Sequence, residues 1–219
     1  MKNWIVALLL GGALTVSAHE MNMHMAAGEK TLKVAVVLFD GVEEIDYAGP
    51  IEVFGASGAT VLTVGLSKAP VTSVYGLRVL PEYDTADLPD VDVLLVPGGG
   101  IGEAWKNPKL LAWIKERSAK VRVTMSVCSG AFILGKAGLL DGQQATTTSS
   151  MRDELARHFP KAQVMRQRFV DAGKLITTAG LSAGIDGSLY LVQRELGAER
   201  AKAAAGYMEY DWRPQPESK

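Results

Sequence analysis

The stretch Val121-Arg122-Val123-Thr124-Met125-Ser126-Val127-Cys128-Ser129-Gly130-Ala131 runs from a β-branched segment straight into an apolar one, with the chain's single cysteine at the joint. A short apolar run rich in valine predicts a buried strand over 121–127, and the residues from Ser129 to Gly138 predict a helix. The same alternation extends outward in both directions. Residues 32–38, 59–66 and 91–96 are further strand-like runs, and 43–56 is helical in character, with Pro50 expected to kink or break it near Gly49. Asn107-Pro108 opens a helix through about residue 119, and residues 72–79 around Gly76 suggest a hairpin or small edge feature. Downstream, 151–158, 186–196 and 199–207 read as helices, and 163–178 as two strands turning at Asp171-Ala172-Gly173. Strands alternating with helices at this spacing predict an α/β fold, a mostly parallel sheet with helices on both faces. Ligands in such folds gather beyond the carboxyl ends of the strands, where Cys128 and the turn Pro97-Gly98-Gly99-Gly100 both fall.

The 219 residues are 47% hydrophobic and 21% charged, which excludes a disordered chain, and one cysteine excludes a disulfide scaffold. Lysine and arginine number 23 against 24 acidic residues, so no basic field invites nucleic acid. The first 18 residues have a positive head at Lys2, an apolar run from Trp4 to Val16 and a small-residue exit at Val16-Ser17-Ala18, as a secretory signal does. That run falls short of the ~20 residues that span a bilayer. A periplasmic or secreted protein with no membrane attachment after cleavage is expected, an uncleaved anchor being the other reading. Residues 19–31 then form a polar tail in which His19, Met21, Met23, His24 and Met25 offer imidazole and thioether groups suited to copper, or simply a solvated linker. One domain is expected over 32–211, followed by a short tail over 212–219.

Cys128 sits where a strand-to-helix turn would lift its sulfur above the sheet. The helix N-terminus behind it is expected to lower the thiol pKa and so create a nucleophile, the other reading being a buried structural thiol. The backbone amides of Gly99 and Ser129 could together form an oxyanion-type pocket, although glycines after a strand are often plain turn residues. In Gly41-Val42-Glu43-Glu44-Ile45-Asp46, the two glutamates read as helix-capping charges. Asp46 shares a helical face with Val42 and is expected to turn inward, where it could share a proton with the thiol. His19 and His24 lie in the tail and His158 at a helix end, so a Cys-His-carboxylate triad lacks a base.

Residues 41–50, Pro97-Gly98-Gly99, Val127-Cys128-Ser129-Gly130-Ala131, Gly138-Leu139-Leu140, Ala145-Thr146-Thr147 and Ala179-Gly180-Leu181-Ser182-Ala183-Gly184-Ile185-Asp186 resemble the ThiJ/PfpI superfamily. The resemblance covers about 32–211 and is nearest to the isocyanide hydratase branch, whose C-terminal segment Met208-Glu209-Tyr210-Asp211 also resembles. It implies a flavodoxin-like three-layer sandwich, a homodimer, no cofactor, Cys128 as nucleophile, Asp46 as the acidic partner, and Gly99 and Ser129 as backbone donors. Thr148-Ser149 stands where that branch has His-Trp. Ser129, which the resemblance also implies as a catalytic residue, follows the nucleophile where the isocyanide hydratase branch has Thr and the protease-named branch has His, the latter difference arguing against peptidase activity. The function expected is a cysteine-dependent hydratase or lyase acting on a small electrophile, an isocyanide or a 2-oxoaldehyde. The alternative is a non-catalytic thiol sensor or small-ligand-binding domain.

Mass spectrometry of the expressed full-length chain should find an exported protein whose first residue is His19. Intact Met1 on protein retained in the cytosol would contradict the signal reading.

Overall fold

Seven strands make one sheet in the order β10-β11-β7-β6-β1-β2-β5, all parallel to their neighbours except β10, which runs antiparallel to β11. The computed structural model describes residues 30–214, so the expected signal segment, and the tail residues His19, Met21, Met23, His24 and Met25, lie outside the described residues. In chain order the first half comprises β1 (Lys33–Val37), α1 (Glu44–Ala56), β2 (Thr60–Gly65), β3 (Val71–Thr72), β4 (Arg78–Val79), β5 (Tyr83–Asp84), β6 (Val93–Val96) and α2 (Pro108–Lys120). The second half comprises β7 (Val123–Ser126), α3 (Gly130–Lys136), β8 (Gln144–Ala145), a 3₁₀ turn (Ser149–Met151), α4 (Arg152–His158), β9 (Gln163–Val164), β10 (Phe169–Ala172), β11 (Leu175–Thr178), α5 (Ala183–Leu196) and α6 (Ala198–Tyr207).

The central strands explain why the sequence showed continuous rather than alternating hydrophobicity. Residues 34–37 of β1 and all of β6 and β7 are buried, because helices cover both faces of the sheet. One layer packs α1, α5 and α6 together, and another pairs α2 with α3. This is the flavodoxin-like three-layer sandwich. Register aligns the strand ends: Val96 lies opposite Ser126, and Ser126 opposite Thr177, so Pro97, Val127 and Thr178 stand level where the strands end. Asn107 caps α2 through its Oδ1, which accepts the Lys109 and Leu110 amides at 3.1 and 3.2 Å, with Pro108 at the first helical position.

Three expectations are corrected. The helix α1 runs unbroken through Pro50, because Gly49-Pro50 is a contact with α5 rather than a break: a Cβ on Gly49 would lie 3.0 Å from Ile185, and one on Gly184 would lie 3.6 Å from the Pro50 ring. The 163–178 segment gives the β10–β11 hairpin, but Gln163–Val164 pairs separately with β8, and α5 begins at Ala183, three residues ahead of Asp186. The helix after Cys128, Gly130–Lys136, ends just before Gly138 as expected, where the backbone turns to φ +79°. The hairpin at Gly76 forms as expected from β3 and β4.

Gly130 takes α3 directly against β6. A Cβ there would run into the Val96 carbonyl oxygen and come within 2.8 Å of that of Pro97, both backbone atoms that cannot swing away. In urea unfolding, Gly130→Ala should lower stability by about 1–3 kcal/mol. Gly206→Ala, whose Cβ would meet nothing within 4 Å, should be neutral or slightly stabilising. Equal midpoints for the two variants would contradict this packing.

Candidate active site

Leaving β7 after Ser126, the chain turns through Val127 and Cys128 into α3, and Cys128 adopts φ +56° to do so. Left-handed backbone is costly for a residue with a Cβ and persists only where neighbours fix it. Here the Cys128 amide donates to the Ala179 carbonyl at 3.2 Å, and the Cys128 carbonyl accepts the Thr147 hydroxyl at 2.7 Å. The thiol is thus presented, half-buried, beyond the strand ends. Its Sγ lies 3.5 Å from Thr148 Oγ1.

Asp46, in the first turn of α1, is completely buried and points at the same place. Its Oδ2 accepts the Gly98 amide at 3.1 Å, and its Oδ1 accepts the Leu181 amide at 3.1 Å. Leu181, like Cys128, has φ +56°. Burial pushes the Asp46 carboxyl up to about 6, against the pull of those two amides and of the neighbouring Cys128 thiol. Glu43 and Glu44 take no such position: Glu44 accepts the Ser73 hydroxyl and, at 2.9 Å, the Tyr75 amide, tying the β3–β4 hairpin to α1.

The thiol is not activated in the way the sequence suggested. Burial raises the Cys128 pKa, and the Asp46 charge raises it further, outweighing the Thr148 hydroxyl and the Ser129 amide and hydroxyl that stabilise the thiolate. The expectation foresaw Asp46 beside the sulfur but weighed only the helix N-terminus, leaving out desolvation of the thiol and the repulsion of a thiolate by the Asp46 charge. Cys128 and Asp46 therefore form a coupled pair holding one proton between them around neutral pH.

Gly99 and Ser129 do meet, but chiefly each other. The Gly99 amide donates to Ser129 Oγ at 3.0 Å, and that hydroxyl donates back to the Gly99 carbonyl at 3.1 Å. The Gly99 amide is thus occupied rather than aimed at the sulfur, whereas Ser129 favours the thiolate form of Cys128. The glycines here are more than turn residues. A Cβ on Gly98 would lie 2.6 Å from the Ser129 amide nitrogen and 2.9 Å from Asp46 Oδ2. His158 lies elsewhere, edge-on to Trp105 at 5.2 Å and beside Glu154. Sequence reasoning missed Leu181 and Thr148 as members of the site. Leu181 contributes a backbone amide, which no side-chain pattern reveals, and Thr148 was visible only as a departure from the resembling branch. Both adjoin Gly180, where a Cβ would collide with the Thr148 hydroxyl and lie 3.5 Å from Sγ.

The DJ-1/PfpI family model matches residues 32–194. An isonitrile hydratase of Pseudomonas putida is 36% identical over 181 residues, which is 82% of this chain and 78% of the relative. A deglycase of Thermococcus kodakarensis is 26% identical over 75% of this chain and 96% of its own length. Among solved structures, a ThiJ/PfpI family protein from Pseudomonas syringae superposes with a TM-score of 0.80 at 34% identity, covering 97% of this chain and 85% of that one. Drosophila melanogaster DJ-1beta, 21% identical with a TM-score of 0.76 over 84% of this chain and 100% of its own, shares the fold.

Because the Asp46 charge holds the thiol up, Asp46→Asn should move thiolate formation to lower pH. With one cysteine in the chain, absorbance at 240 nm or the pH dependence of alkylation reads Cys128 alone. An unchanged or higher midpoint in the variant would exclude the coupling.

Proposed function

The chain belongs to the DJ-1/PfpI family, and on that premise we propose that it is a cofactor-independent hydratase whose Cys128 thiol adds to the carbon of a small isocyanide. The observation that carries this reading is the buried Asp46 carboxyl, its pKa raised to about 6, held by the Gly98 and Leu181 amides beside the only thiol in the chain. The similarity to an isonitrile hydratase over 82% of the chain supports it.

The pair suits an addition in which one proton moves with one sulfur. Asp46 takes the thiol proton as Sγ bonds to the isocyanide carbon, then delivers it to that same carbon, giving a thioimidate with an intact C=N bond. Water next adds to the thioimidate carbon, Asp46 accepting a water proton and passing it to nitrogen. The C–S bond then breaks, the remaining hydroxyl proton returns to sulfur by way of Asp46, and an N-substituted formamide leaves. The balance is one isocyanide plus one water. Two-oxoaldehydes are the second electrophile the pair could take, through a hemithioacetal.

Among the described residues His158 is the only imidazole, and its place beside Trp105 leaves an amine leaving group without a general acid, so amide hydrolysis is not part of this reading. A thiol sensor needs thiolate character, and a thiol held protonated by burial favours the enzyme over that alternative. We read the exposed apolar side chains Ile45, Val74, Tyr75 and Leu77, gathered where α1 meets the β3–β4 hairpin, as the face that pairs two copies. The secretory head places the reaction outside the cytoplasm in this reading.

Purified protein should convert an alkyl isocyanide to its formamide, and Cys128→Ala should abolish the reaction. Asp46→Asn should lower kcat by about 10²-fold or more, even though its thiol ionises more readily. Since Asp46 must be ionised to accept the thiol proton, kcat/KM should fall as pH drops below about 6. No turnover of isocyanides by the unaltered protein would overturn the hydratase proposal, whether or not methylglyoxal is consumed.

A further inference from the structure

A cavity of about 390 Å³ adjoins the nucleophile, lined by Thr148, Gly180 and Leu181 and by Arg152, Arg166 and Arg168. Thr148 Oγ1 is 3.5 Å from Sγ, so the inner wall of this cavity is one side chain away from the reacting sulfur. Three guanidinium groups face it, and no carboxylate lines it. Two of the three are neutralised from outside the cavity. Arg166 pairs with Asp153 at 3.3 Å, and Arg168 pairs with Asp186 while also donating to the Ser182 hydroxyl at 3.1 Å.

Arg152 differs. Its only hydrogen bond among the described residues runs from Nη2 to the Gln167 carbonyl at 3.1 Å, and its buried Nε has no partner. An unpartnered guanidinium donor away from water is costly, and Arg152 alone of the three has no carboxylate partner among the described residues. A carboxylate, with two coplanar oxygens, matches the planar fork of Arg152.

We propose that this cavity receives a carboxylate carried by the electrophile, with Arg152 as its principal ligand, so that the substrate class is a small carboxylate-bearing isocyanide rather than a neutral one. The substrate identity rests on the hydratase reading above; the anion site itself does not. Bound this way, the carboxylate lies against Arg152 with the reactive carbon directed past Thr148 toward Sγ.

Two measurements separate the site from the reaction. Alkylation of Cys128 by iodoacetate and by iodoacetamide, each relative to a small free thiol measured alongside, reads the anion preference without any catalytic turnover. The full chain should favour iodoacetate over iodoacetamide by about tenfold more than the free thiol does, as a charge-assisted contact would give. This excess should shrink in 0.5 M salt, roughly as screening of an accessible charge requires, and collapse in Arg152→Gln while Arg152→Lys retains part of it. Separately, kcat/KM for isocyanoacetate should exceed that for its methyl ester, and Arg152→Gln should erase the difference. An iodoacetate preference without turnover of either isocyanide would uphold the anion site and sink the hydratase reading. A ratio equal to that of the free thiol and insensitive to salt would overturn the anion site, whether or not any Arg152 variant folds.

Discussion

The Asp46 carboxyl is the junction on which the site depends. It is buried at the start of α1, and it binds the amide that follows β6, through Gly98, and the amide that follows β11, through Leu181. The thiol that follows β7 completes the set. Four segments distant in sequence therefore converge on two oxygen atoms. Two amide donors offset part of the cost of burying the charge, and the remainder leaves a carboxyl that gives up its proton near neutrality, as a proton carrier requires.

The geometry around that junction leaves little room. Two residues with side chains, Cys128 and Leu181, stand in left-handed backbone within reach of the same carboxyl, and strain of this kind gathers where a reacting atom must be aimed. Glycines at 98, 130 and 180 allow backbone and side chains to approach within distances that any Cβ would forbid. Thr148 occupies the space beside Gly180, between the sulfur and the arginine-lined cavity, so the departure from the resembling branch falls at the position that controls how a substrate would approach the thiol.

Much of this was legible in the sequence, for definite reasons. The buried strands announced themselves through continuous valine and leucine, Asn107-Pro108 marked the start of α2, and the strand–Cys128–helix joint located the nucleophile. Asp46 could be drawn inward because it shares a face with Val42. The misreadings also have physical causes. Gly49-Pro50 looks like a helix break in isolation, yet the tertiary contact with α5 holds the helix continuous. The protonation of Cys128 depends on burial and on a carboxylate 82 positions away in the chain, neither of which local spacing encodes. The Gly99 amide looked available because nothing in the sequence shows that the Ser129 hydroxyl would occupy it.

The central claim is that Asp46 and Cys128 hold one proton in common. Carbon-13 NMR of the aspartate side-chain carboxyls, with the Asp46 signal assigned from its loss in Asp46→Asn, follows that proton directly. The carboxyl should titrate at about 6, and its midpoint should rise in Cys128→Ala, because the neighbouring thiol that favours the ionised form is then lost. A midpoint in the ordinary range of about 4, unmoved by removal of the thiol, would contradict the account.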